Sequence, residues 1–322
     1  MIILVCGGAG FIGSHLCERL LHGGHDVVCI DNLITGRRSN ITSLQNWPQF
    51  TFIEHDIIEE LPALPRVERV FHLASPASPI GYRRYPLETL RVNSEGTRRL
   101  LEIADRDGAR FLYASTSEAY GDPLEHPQRE EYRGNVSPTG PRSMYDEAKR
   151  YGEALTMAYF RTRGLDARIV RIFNTYGPRS DPLDGRMVPN FITQGLRGEP
   201  MTVYGDGIQT RSLCFVSDLV EGLIRSMECE GTGGQALNLG NPEEHAVLEY
   251  AMLVQELTGH QSSLTFVDQP VGDDPQRRRP SIEKARRLLA WEPQVSLRDG
   301  LARTISYFEE ELHRCASGSS WR

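Results

Sequence analysis

The chain has 322 residues, 39% hydrophobic and 25% charged, with a formal net charge of −7. That balance suits a folded enzyme with an ample core, and it gives no general reason to expect a nucleic-acid or anionic-membrane partner. Six scattered cysteines without CxxC or Cys/His ligand spacing argue for reduced thiols rather than a metal site or a disulfide framework.

No run of about 18 apolar residues is present, and Met1 to Cys6 carries neither a basic region nor a cleavage site. A membrane span, an anchor and a signal peptide are therefore not expected, and the cytoplasm is the expected location.

Ile2 to Val5 reads as a short buried strand. It runs into Gly7-Gly8-Ala9-Gly10-Phe11-Ile12-Gly13, and Leu16, Leu20 and Leu21 then recur at helical spacing. Strand, glycine loop and helix in that order form a phosphate cradle, with the anion on the helix N-terminus. The spacing is GxxGxxG, not the commoner GxGxxG. A second strand, Asp26 to Ile30, is followed by Asp31 and Asn32, and Asp31 lies 24 residues beyond Gly7. That is close to the spacing of a ribose-binding carboxylate. A carboxylate there would repel a 2′-phosphate, which favours NAD over NADP.

Thr51 to Glu54 is the next strand, with Asp56 and Ile57 beyond its carboxyl end. Val70 to Leu73 follows and delivers Ala74, Ser75 and Pro76, small residues that let a cofactor pass. Leu87 to Ala104 has helical spacing with Asn93 inside it. Phe111 to Ala114 is a strand delivering Ser115, Thr116, Ser117 and Glu118, and a proline-rich loop then reaches about Ser143. A helix to about Arg163 and a strand from Ala167 to Phe173, ending at Asn174, complete the alternation. The expected fold is α/β, a Rossmann-type doubly wound parallel sheet with a smaller C-terminal substrate-binding lobe. Residues 1–178 are assigned to the NAD-binding part, 179–315 mainly to the substrate lobe, and 316–322 to a flexible tail, with the chain crossing between lobes.

Tyr145-Asp146-Glu147-Ala148-Lys149 places a phenol and an ammonium at i and i+4, on one helical face. A free tyrosine has a pKa near 10, so a base poised at about 7 needs about 4 kcal/mol. One positive charge at about 5 Å, with an effective dielectric of about 20, supplies roughly 3 kcal/mol. Lys149 is the expected source, with an oxidised nicotinamide adding the remainder. Taken alone, YxxxK is common and also fits an exposed helix.

Together, Gly7-x-x-Gly10-x-x-Gly13, Ser115-Thr116-Ser117-Glu118 and Tyr145-x-x-x-Lys149 resemble the signatures of the extended short-chain dehydrogenases/reductases, the NAD-dependent epimerase/dehydratase group. More narrowly, the chain is similar to the UDP-glucuronic acid decarboxylases, or UDP-xylose synthases. His72 to Pro79 (HLASPASP), Ala114 to Pro123, Arg171 to Arg179, Asp184-Gly185-Arg186, Val203 to Arg211, Asn238 to His245 and Asp273 to Pro280 (DDPQRRRP) carry that likeness, which extends to about Leu312.

The resemblance implies a tightly bound NAD recycled in each turnover. Oxidation at C4 makes UDP-glucuronate a β-keto acid, CO2 leaves, and reduction gives UDP-xylose. It implies Tyr145 as base, Lys149 as its partner, Thr116 on the C4 oxygen, Ser117 near the sugar, and Glu118 handling a water or proton at the carboxylate end. Gly7, Gly10, Phe11, Ile12, Gly13, Asp31, Asn32, Asp56, Ile57, Leu73, Ala74, Ser75, Asn93, Tyr145 and Lys149 are the expected cofactor contacts. Pro76, Tyr82, Glu118, Asn174, Arg186, Val188, Tyr204, Arg211 and Arg278 are the expected contacts of the UDP-sugar. Arg278 is assigned the hexuronate carboxylate and diphosphate, by electrostatics rather than as a free acid, since a guanidinium holds its proton. No metal is expected. The family likeness implies a homodimer pairing helices around Leu90 to Ala104 and Tyr145 to Tyr159. A UDP-glucuronate 4-epimerase or nucleotide-sugar 4,6-dehydratase is the alternative reading, and a non-catalytic NAD sensor is a more distant one.

Overall fold

The computed structural model describes residues 1–260, 262–268 and 277–316, without the side chains of 315 and 316. Asp273 to Gln276 of the DDPQRRRP segment and the tail beyond Ala316 lie outside the described residues.

Seven strands form one sheet: β1 (Ile2–Cys6), β2 (Asp26–Asp31), β3 (Phe50–Glu54), β4 (Arg69–His72), β5 (Arg110–Thr116), β6 (Ala167–Ile172) and β7 (Ala236–Leu239). Their order is β7-β6-β5-β4-β1-β2-β3, and every pairing is parallel. The order reverses between β1 and β4, where a crevice opens at the strands' carboxyl ends. Helices cover both faces, so the strands read as continuous apolar runs; Leu4, Val5, Val70, Phe111 and Leu112 are fully buried.

The segment expected as one helix from Leu87 is broken. Pro86–Arg91 is α-helical, Val92–Gly96 widens into a π turn, and Thr97–Asp107 resumes the α-helix. Side-chain spacing cannot report that one-residue widening. The Ser143–Arg163 helix ends at Gly164, whose φ of +69° is left-handed backbone that glycine adopts without strain.

Later elements return to the large sheet as well as building beside it. The Val216–Glu228 helix packs against the Phe11–His22 helix and β6, and β7 pairs with β6. Short two-stranded sheets join Met201–Tyr204 to Leu264–Val267 and Thr210–Arg211 to His245–Ala246. One apolar cluster runs from Val5 and Leu16 through Leu219 and Leu237 to Phe191, Tyr250 and Phe308. The sheet and the C-terminal elements therefore share a core, which fixes the cleft between them.

Candidate active site

The glycine-rich end of the cleft starts at Gly7, whose φ is +83°. A Cβ there would stand 2.6 Å from the Ala74 amide nitrogen, and one at Gly13 would stand 2.1 Å from the Gly7 carbonyl oxygen. Only glycine permits both approaches. Gly10 caps the Phe11–His22 helix without a side-chain bond, so the first amides, from Phe11, Ile12 and Gly13, are left for an anion. Asp31 closes β2. Its Oδ2 accepts from the Ala9 amide at 2.9 Å and its Oδ1 from the Leu33 amide at 2.8 Å. Burial pushes its carboxyl up, against the pull of those amides.

A cleft there is lined by Gly7, Gly10, Asp31, Asn32, Asp56, Ile57, Leu73, Ala74, Ser75 and Pro76. Asn32 Nδ2 donates to Asp56 Oδ2 at 2.8 Å, tying β2 to the loop after β3. Asn93, in the π turn, donates to Ser75 Oγ at 2.9 Å and accepts from the Tyr113 hydroxyl at 2.9 Å. Thr35, Gly36 and His55 also line the cleft. Sequence reasoning missed them, although each follows a strand's carboxyl end. The residues present fit a dinucleotide: the glycine cradle has no room for side chains, and Asp31 faces the cleft that the cradle opens into.

At the other end, β5 leads through Thr116 into a 3-10 turn at Ser117–Tyr120. Thr116 Oγ1 accepts from the Glu118 amide at 3.2 Å, and Ser117 is buried. Tyr145 and Lys149 are 5% and 3% exposed, on one inward face of the Ser143–Arg163 helix. Tyr82 stacks on Tyr145 with ring centres 5.0 Å apart. Lys149 Nζ donates to the Ala114 carbonyl at 2.8 Å and lies 5.9 Å from the Tyr145 ring centre.

Here the electrostatics differ from the expectation. Burial pushes the Tyr145 phenol well above 10, with the Thr116 hydroxyl pulling the other way. Burial also lowers Lys149 to about 7, against the charge of Glu153. The i, i+4 spacing shows the ammonium beside the phenol but not the desolvation of both groups.

Burial opposes ionisation of Glu118, yet Arg278 and Arg142 hold its carboxyl below the usual range. Arg278 grips it with both terminal nitrogens, one at 2.8 Å to Oε2, and Arg142 Nη2 donates to the same Oε2. The three residues are far apart in sequence and meet only in the fold. Arg142 was not foreseen; its signal was its place one turn before Asp146, at the start of the tyrosine helix. Arg278 is 6% exposed, whereas Arg277 is exposed.

The remaining candidates are spread wider. Arg186 pairs with Asp184 at 3.0 Å and its charge reaches Tyr145. Val188 is buried, and the Asn174 carbonyl accepts from the Cys214 amide at 2.9 Å. Arg211 Nη1 donates to the Thr210 carbonyl at 2.8 Å, while its own carbonyl accepts from Tyr250. Tyr204 ends a strand and is exposed.

Residues 3–240 match the model of the NAD dependent epimerase/dehydratase family. The chain belongs to that family. It is 51% identical over 310 residues to UDP-glucuronic acid decarboxylase 1 of Arabidopsis thaliana, covering 96% of this chain and 70% of that one. It is 49% identical to UDP-glucuronic acid decarboxylase 1 of Xenopus tropicalis, covering 98% and 74%. Among solved structures, UDP-glucuronic acid 4-epimerase from Bacillus cereus, in complex with UDP-glucuronic acid and NAD, superposes with a TM-score of 0.86. It is 30% identical and covers 97% of this chain and 100% of that one. UDP-glucose 4-epimerase from Thermotoga maritima, with UDP-glucose, gives a TM-score of 0.88 at 33% identity, covering 97% and 100%.

Proposed function

We propose that this chain is an NAD-dependent UDP-glucuronate decarboxylase that makes UDP-xylose. The observation that carries the reading is the delivery of Arg278 to the Tyr145 cleft, in a chain about half identical to decarboxylases over nearly its whole length. The epimerase alternative draws on the B. cereus likeness, which is weaker at 30% identity.

Bound NAD supplies reversible hydride transfer at C4. Tyr145 takes the C4 hydroxyl proton and later returns it. Lys149 and the oxidised nicotinamide lower the phenol against its burial, and Thr116 bonds the C4 oxygen as charge develops. Arg278 and Arg142 bring two guanidiniums to the end where the C6 carboxylate would lie. Once C4 is a ketone, loss of CO2 leaves an enolate that this positive end stabilises. Ser117 borders the sugar, and Asn174, Arg186, Val188, Tyr204 and Arg211 are assigned to UDP.

The division near residue 178 into a cofactor lobe and a mainly substrate lobe belongs to the same reading. A cytoplasmic homodimer completes it. Leu87, Leu90 and Tyr151 stand exposed on the helices assigned to the two-fold, and the described cysteines are free. Among the described residues no helix is long and apolar enough to cross a membrane.

The test is product analysis. UDP-glucuronate with catalytic NAD should give equimolar CO2 and UDP-xylose, many turnovers per enzyme, and no steady NADH release. UDP-galacturonate without CO2 would replace this reading by the epimerase.

A further inference from the structure

The Glu118–Arg278 ion pair joins segments 160 positions apart, so something in the fold must hold those segments in register. Behind the pair lie two fully buried amides to which the mechanism above gives no part: Gln128, in the proline-rich loop, and Asn238, on β7.

Gln128 meets the segment that carries Arg278 with both its backbone and its side chain. Its amide donates to the Arg279 carbonyl at 2.9 Å, and its carbonyl accepts from the Ser281 amide at 2.8 Å. Its side-chain Oε1 accepts from the Arg279 amide at 2.8 Å, while its Nε2 donates to the Glu125 carbonyl at 2.7 Å. The two backbone bonds grip the chain after Arg279. The side-chain bond grips the peptide that joins Arg278 to Arg279. Of the described backbone bonds on this segment, it is the nearest along the chain to the Arg278 side chain.

Asn238 seats Gln128 and ties it to the Glu118 turn. Its Nδ2 donates to the Gln128 carbonyl at 3.1 Å and to the Ser281 carbonyl at 3.2 Å, and its Oδ1 accepts from the Tyr120 hydroxyl at 2.7 Å. Tyr120 closes the 3-10 turn that carries Glu118. Both halves of the ion pair are therefore fastened to one buried strand residue. A long guanidinium side chain loses much rotamer freedom when held in one pose, and a satisfied buried polar network supplies the rigidity that holds it. A misplacement of about 1 Å at a reacting centre can cost about 10²-fold in rate.

We propose that Gln128 is a positioning residue: its side-chain oxygen, seated on Asn238, fixes the backbone of Arg278 so that the guanidinium meets Glu118 and the carboxylate end of the sugar in one pose. This deepens the decarboxylase reading and rests on it. Gln128 acts through Arg278 and takes no part in the chemistry itself.

The test is a double-mutant cycle on UDP-glucuronate with NAD, read as CO2 release. Gln128→Met keeps length and bulk and removes the acceptor from the Arg279 amide. Its kcat should fall by about tenfold or more, with NAD affinity unchanged. In the Arg278→Met background the same change should cost less than about threefold, because the side chain it positions is gone. A merely structural glutamine would lower both backgrounds alike. Equal losses therefore overturn the proposal, as does wild-type kcat in a folded Gln128→Met. Gln128→Glu separates the acceptor from the bulk, and it decides if Gln128→Met does not fold. Burial favours the neutral acid, whose C=O can accept from Arg279 and whose O–H can donate to Glu125, as the amide does. Its turnover should come within about threefold of wild type at the acid end of the pH profile, where that form is fully populated. A turnover that stays about tenfold below wild type at every pH overturns the proposal. None of these outcomes touches the decarboxylase reading while wild type releases CO2. Absence of CO2 from wild type overturns both.

Discussion

At the nucleotide end of the cleft, backbone does most of the work. Gly7, Gly10 and Gly13 bring main-chain atoms to the ligand surface, and Asp31 is held by two amides. At the sugar end, side chains do it. Glu118, Arg142, Tyr145 and Arg278 converge from three separate segments, the last three buried and Glu118 partly so. The first end depends on local geometry, where a single Cβ is a collision. The second depends on charge balance in a desolvated space, where removing one partner strands another. Damage at the first end should therefore appear in cofactor retention, and damage at the second in turnover.

The largest expected effect is at Tyr145. Tyr145→Phe keeps the ring that stacks on Tyr82 and removes the phenol. Turnover should fall by about 10²-fold or more, with UDP affinity little changed. CO2 release and calorimetric titration with UDP measure the two sides. Near-normal turnover would remove Tyr145 from the chemistry.

Arg278→Met comes next. It leaves Glu118 with Arg142 as its cation among those described, so the Glu118 carboxyl should move up in pKa as the decarboxylation rate falls about 10²-fold. NAD binding should stay normal. Arg277→Met, at an exposed neighbour, should cost less than about threefold, the ordinary scale of a surface change. Equal losses at 277 and 278 would mean a general basic patch, not one clamp.

The nucleotide end was the more legible in sequence because its information is local. A glycine run between an apolar strand and a helix, then an acid at the next strand end, specifies the cradle without any distant residue. The parallel sheet followed from alternation, and the structure added the strand order and the return of β7 and the Val216–Glu228 helix to the first sheet. The sugar end was readable only where a motif named it. The Glu118–Arg142 contact spans 24 positions and the Glu118–Arg278 contact 160, and nothing in spacing reports either. The desolvation of Lys149 was hidden for a related reason: burial is a property of the packed chain, and it brings Lys149 down to about 7.

Gly13→Ala tests the nucleotide end directly. The added methyl would stand 2.1 Å from the Gly7 carbonyl oxygen and 2.8 Å from Gly8 Cα, both backbone atoms that cannot rotate away. The purified variant should lose bound NAD, with affinity down by about tenfold or more. Added NAD should restore much of the turnover, since Tyr145 and Arg278 are untouched. Turnover that stays low at saturating NAD would show that the loop also governs the sugar end.

Asn93 is where the two ends meet, and its expected effect is the smallest. Its Nδ2 holds Ser75 Oγ beside the cofactor wall, and its Oδ1 holds the Tyr113 hydroxyl, whose ring lies 5.1 Å from Lys149 Nζ. Asn93→Ala strands a fully buried Tyr113 hydroxyl, at a cost of about 1–3 kcal/mol in stability. That corresponds to a Tm lower by roughly 1–5 °C. If one residue braces both walls, NAD affinity and turnover should fall together, each by less than about tenfold. A fall in NAD affinity alone would mean that Ser75 is the only partner that matters and that the Tyr113–Lys149 wall stands by itself. A fall in turnover alone would place the π turn in service of Lys149, and the division between a backbone-built end and a side-chain-built end would then run through Asn93 itself.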